Sequence, residues 1–106
     1  MENQKISINL NDKALNEAAF YNQFARDVGR LLIDMYHAGF ETPTTVRGTQ
    51  KQIDAFFKAL KGEKRYMDSY LRHGLEDPRT LSDRHRLMSS VKSFETETGL
   101  RWPFKN

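Results

Sequence analysis

The sequence predicts a mainly α-helical fold: a three-helix bundle, or four helices if Gly62 breaks the second, with a short extended N-terminal segment and an aromatic C-terminal tail. Three observations predict it. Apolar residues recur every three or four positions over three stretches of the chain. Each stretch closes on a glycine followed by an apolar residue, at Gly39-Phe40, Gly74-Leu75 and Gly99-Leu100. Between them lie two connectors, Glu41 to Gly48 with Pro43, and Leu75 to Thr80 with Asp77-Pro78. A chain of 106 residues, 38% of them apolar, is the size of one domain with one core, placed over residues 11–106.

In residues 1–10, Ile6, Ile8 and Leu10 alternate with Lys5, Ser7 and Asn9, the period of a half-buried strand. A lone strand needs a partner. Thr44, Thr45 and Val46 can supply one within the chain, or the same segment of a second subunit can; without either, the segment is disordered.

The first helix is expected from an N-cap at Asn11 or Asp12, with its stripe running from Leu15 through Val28 to Met35. Its stop is Ala38-Gly39-Phe40, and His37 in the last turn suits the negative end of the helix dipole. Thr49-Gln50-Lys51-Gln52 has the spacing of a capping box. The second helix then carries Ile53, Phe56, Phe57, Leu60, Met67, Tyr70 and Leu71 in one phase across Gly62. Since polar Glu63 follows Gly62, one continuous helix from about 50 to 73 is preferred over two short ones, with Leu75 closing back on Tyr70. Thr80 or Ser82 caps the third helix, which carries Leu87, Met88, Val91 and Phe94 and stops at Thr98-Gly99-Leu100.

The composition excludes several classes of function. Without cysteine there is no disulfide framework, thiol nucleophile or cysteine-ligated metal, and a reducing, cytoplasmic setting fits best. No apolar run has the length of a signal peptide or of a membrane span, so no membrane partner is expected. His37, His73 and His85 are never three or four positions apart, the spacing that places two ligands on one helical face, so no metal is expected. His85 and Asp83 point to different sides of a helix and read as surface charge. Neither a phosphate-cradling glycine motif nor a nucleophile with an adjacent base appears, so no cofactor and no enzymatic activity is expected.

Two candidate binding sites remain. Residues 1–46 hold four Lys/Arg against six Asp/Glu, net −2, whereas residues 47–106 hold thirteen against eight, net +5. Asp54 and Asp68 are placed to pair with Lys58 and Arg72 four residues on, which leaves Lys61, Lys64, Arg65, Arg84 and Arg86 as a basic patch for phosphates. The acids Glu63, Asp68, Asp83 and Glu95 interrupt that patch. The second candidate is Trp102 and Phe104 around Pro103, an aromatic anchor for a partner; the commoner fate of such a tail is to fold back and close the core.

A non-enzymatic module acting through protein–protein contacts is therefore the first expectation, of the kind found among small regulators, inhibitors and accessory proteins of phages and mobile elements. Nucleic-acid binding through the basic second and third helices is the second. The third is a helical homo-oligomer that holds a small anionic ligand such as a nucleotide; its support is a first helix whose apolar face is wide enough for both a core and a partner.

Overall fold

A computed structural model describes residues 5–37 and 43–104. Strand β1 (Ile6–Asn9) is followed by a 3-10 turn (Lys13–Asn16), helix α1 (Ala18–His37), strand β2 (Thr44–Arg47), helix α2 (Gln50–His73) and helix α3 (Pro78–Thr98). The chain is mainly helical, with one small sheet, and no helix among the described residues is long and apolar enough to cross a membrane.

The N-terminal segment finds its partner inside the chain. β1 and β2 pair in parallel with Ile6 opposite Thr44 and Ile8 opposite Val46. A parallel pair needs a crossover, and α1 supplies it. Alternation along β1 buries Ile6 and Ile8 and exposes Ser7 and Asn9, and Leu10 continues the buried side. The Leu10 amide donates to the Arg47 carbonyl at 2.8 Å, so pairing persists one residue beyond β1.

The first helix starts later than its stripe suggests. Asp12 does act as a cap, accepting from the Ala14 amide at 3.0 Å, but the helix it caps is the 3-10 turn. Glu17 is extended, and the α-helical path begins only at Ala18. The break lets Asn16 reach the far end of the chain, where its side chain donates to the Gly99 carbonyl at 2.9 Å and accepts from the Arg101 amide at 3.1 Å. The stop expected at Ala38-Gly39-Phe40 lies outside the described residues.

α2 begins with the expected capping box and runs unbroken through Gly62. Thr49 Oγ1 accepts from the Gln52 amide at 3.1 Å, and Gln52 Oε1 accepts from the Thr49 amide at 2.8 Å. The buried Gln52 amide group also donates to Asn11 Oδ1 at 3.0 Å, tying this helix start to the end of β1. At the other end Gly74 takes φ 90°, ψ 165°, not the left-handed helical conformation, and Leu75 is 54% exposed.

α3 starts two to four residues before the expected caps, because Asp77 accepts from the Arg79 amide at 2.8 Å and Pro78 fills the first helical position, where its missing N–H costs nothing. Its stop at Gly99 is as expected: φ 74°, ψ 8° is left-handed, and the Gly99 amide donates to the Glu95 carbonyl at 2.9 Å.

The core lies where β1 and the three helices meet. Phe24 of α1, Phe56 of α2 and Phe94 of α3 are fully buried, and the tail closes over them. Trp102, 1% exposed, packs edge-on against Phe94 (5.2 Å between centroids) and Phe56 (6.1 Å). The tail is strapped from both sides: Tyr21 Oη donates to the Trp102 carbonyl at 3.3 Å, and the Trp102 amide donates to Glu95 Oε2 at 2.9 Å. Arg101 lies 4.3 Å above the Tyr21 ring, and Lys13 donates to the Thr98 carbonyl.

Candidate functional site

α3 packs along α2 far more extensively than α1 does. The apolar stripe of α2 therefore outruns what α1 covers. Along it Phe56 and Leu60 are buried, but Met67, Tyr70 and Leu71, in the same phase, are exposed. Facing them on α1, Ile33 and Tyr36 are exposed too. Between the two helices lie an apolar cleft of about 620 Å³ and a second of about 290 Å³. Leu32, Met67 and Phe104 border both, so the two clefts form one groove. Its α1 wall extends from Gly29 to His37, its α2 wall from Glu63 to Leu71, and Pro103-Phe104 lies against the larger cleft.

One charged group stands in the larger cleft. Glu63 is only 9% exposed and lies in phase with the stripe, at the step between Leu60 and Met67. Burial pushes its carboxyl above the ordinary carboxylate value, and the nearby indole N–H of Trp102 partly offsets that. The offset is incomplete: Trp102 Nε1 is buried and forms no hydrogen bond among the described residues. No cation forms an ion pair with Glu63 among the described residues. Lys64, next in sequence, is bound to Asp68 at 3.1 Å and lies 6.0 Å from the Tyr36 ring centroid.

The Lys64 contact corrects the expected ion pairs. Asp68 takes Lys64, four residues before it, rather than Arg72, and Asp54 accepts from the Gln50 side chain at 2.8 Å rather than from Lys58. Either neighbour of an acid at four-residue spacing can reach it, and sequence alone does not rank them. Of the basic patch, Lys61, Arg65, Arg84 and Arg86 are exposed and Lys64 is half-buried. Arg84 and Arg86, two residues apart on one helix, project about 200° apart around its axis. Arg86 borders a polar cleft of about 440 Å³ at the α2–α3 turn, together with Ser69, His73, Arg79 and Asp83. There Ser69 donates to Asp83, and Arg79 is held by Asp77 at 3.0 Å, so two of the cleft's polar groups are engaged within the chain.

The aromatic pair divides. Trp102 belongs to the core and presents no ring to a partner, whereas Phe104 is 38% exposed at the groove. Two signals for the groove were present in the sequence: an α2 stripe longer than its neighbour can cover, and a glutamate at a stripe position. Among the described residues no group of three or more His, Asp or Glu side chains is placed to hold a metal. Comparisons with protein-family models, curated proteins and solved structures find no match for this chain.

Proposed function

We propose that this chain is a non-enzymatic binding module that docks a helical segment of a partner protein in the groove between α1 and α2. The observation that carries the reading is the continuity of exposed apolar surface there, from Ile33 and Tyr36 across Phe104 and Met67 to Tyr70 and Leu71. Exposed apolar side chains occur singly on any protein; six of them bordering one concave surface are the mark of an interaction site. The dimensions suit a helix. Each wall spans eight residue steps, about 12 Å at 1.5 Å per residue, which matches two turns of a guest helix laid in the groove with its apolar anchors downward.

The competing reading, a nucleic-acid binder, draws on the net +5 of residues 47–106. It is the weaker of the two, because Lys64 is paired and Arg84 and Arg86 of α3 project to opposite sides. Photo-crosslinking side chains at positions 33 and 71, with a control at the exposed Ser89, test the first reading in the cell. Adducts to one protein from both groove positions, and none from the control, are expected. Fluorescence anisotropy with labelled DNA and RNA tests the second. Micromolar binding that weakens steeply with salt and survives Ile33→Ser and Leu71→Ser would overturn the groove as the functional surface.

A further inference from the structure

The groove contains a group that an ordinary apolar docking surface would exclude. Placing an unpaired carboxylate in an apolar setting is unfavourable, and a leucine at the same step would avoid that cost. Glu63 nevertheless occupies the stripe between buried Leu60 and the groove residue Met67. Among the described residues its carboxyl forms no ion pair or hydrogen bond, the indole N–H of Trp102 is its one polar neighbour, and Lys64 is engaged by Asp68. The acid borders the larger cleft, whose lining also includes Tyr66, Tyr70 and Phe104. A carboxylate among aromatic residues, shielded from water, is the chemistry that recognises a cation, through an ion pair to which neighbouring rings can add.

We propose that the helix docked in this groove carries one lysine or arginine within its apolar stripe, and that this charge pairs with Glu63. The inference rests on the reading of the groove as a docking site and adds the partner's chemistry: apolar anchors at helical spacing, interrupted by a single base. An acidic or purely apolar helix leaves the Glu63 charge buried and unpaired, and is discriminated against for that reason. Acid and base together fix the register of the guest, since only one placement along the groove brings the two charges into contact.

The test uses the full chain, isotopically labelled, and three synthetic helical peptides of about 14 residues, the length at which an isolated helix begins to hold. All three carry leucines at i, i+4 and i+7; at i+3 one has lysine, one norleucine and one glutamate. Backbone amide shifts locate binding, and the fluorescence of Trp102, the only tryptophan, reports events beside Glu63. The lysine peptide is expected to bind roughly tenfold or more tighter than the norleucine peptide, with the glutamate peptide weakest. In Glu63→Gln the lysine preference collapses while norleucine-peptide affinity holds. Ile33→Ser with Leu71→Ser weakens all three. Equal affinity for the lysine and norleucine peptides in the wild type would overturn the cation pairing and leave the groove standing. No shifts at Ile33, Tyr36 or Leu71 with any peptide at millimolar concentration would overturn both.

Discussion

The indole of Trp102 and the carboxyl of Glu63 sit together in the interior, and each carries a polar group that folding leaves short of a partner. They differ in what they return. Trp102 supplies a large ring to the Phe56–Phe94 cluster, so Trp102→Ala is expected to cost about 3–5 kcal/mol, and Trp102→Phe far less because it keeps the ring contact and removes the unpartnered N–H. Denaturant unfolding of the two variants measures the difference; equal losses would mean that the indole nitrogen matters more than the ring. Glu63 returns nothing comparable to the fold. Since burial raises its folded-state pKa above the ordinary value, folding favours the protonated acid. The chain is thus free of this penalty below the ordinary carboxylate range and loses stability as pH climbs through that range to the raised value. Asp77 acts in the opposite sense: hydrogen bonds from Arg79 hold it at about 2, so its contribution is present above the ordinary range and is lost as pH falls toward 2. Melting temperatures of wild type and Glu63→Gln are therefore expected to diverge in favour of the variant as pH rises from 4 toward 7, above the window in which Asp77 titrates. Parallel curves would mean that the acid is solvated in the free protein.

At the scale of elements, local rules were legible wherever the partner atoms lie within a few residues. The Thr49–Gln52 capping box, the left-handed Gly99 and the period-two strand from Ile6 all follow from neighbours in sequence. Helix starts were less legible, because Asp12, Asp77, Thr80 and Ser82 are all competent caps and the choice depends on where the chain turns. Asp77-Pro78, read as connector, is both cap and first helical residue of α3. The groove was least legible: a stripe at positions 67, 70 and 71 looks the same whether or not another helix covers it. Gly62 shows a further limit of the same kind. Inside an unbroken helix, alanine should gain about 1 kcal/mol over glycine by propensity alone. A Cβ there, however, would meet Leu87 Cδ1 of α3 at 3.2 Å, and Leu87 is itself buried. Crowding of that degree costs a comparable amount, so Gly62→Ala is expected to be neutral to mildly destabilising, within about 1 kcal/mol. In a Leu87→Ala background, where the crowding is gone, the same change should gain close to the full propensity term. The double-mutant cycle checks it, and additive effects would show that α2 and α3 do not press on each other at this point.

Across the whole molecule, stability is distributed unevenly because the helices are unequally packed. α2 and α3 are joined by a short turn and bury Phe56, Leu60, Leu87, Val91 and Phe94 between them and the tail. α1 is anchored toward its N-terminal end, by Tyr21 on the tail and by Phe24 and Val28 in the core, and its last turns carry the open side of the groove. Toward that end Leu31 and Asp34 are buried, with Asp34 held by Arg30 at 3.7 Å, while Ile33, Tyr36 and His37 face outward. A chain of this size has a global stability of about 5–15 kcal/mol, and amides between Phe56 and Leu60 or Leu87 and Phe94 should exchange only through unfolding on that scale. Amides from Ile33 to His37 should open locally, at several kcal/mol less. A lysine-bearing guest helix seated on Glu63 would span both walls of the groove, and should therefore slow exchange in Ile33–His37 and Met67–Leu71 together while leaving Leu87–Phe94 unchanged. Hydrogen exchange read by mass spectrometry, with and without that peptide, checks both halves of the expectation. Uniform protection along α1 in the free chain would mean that the groove is already a rigid surface whose occupancy adds no order to it.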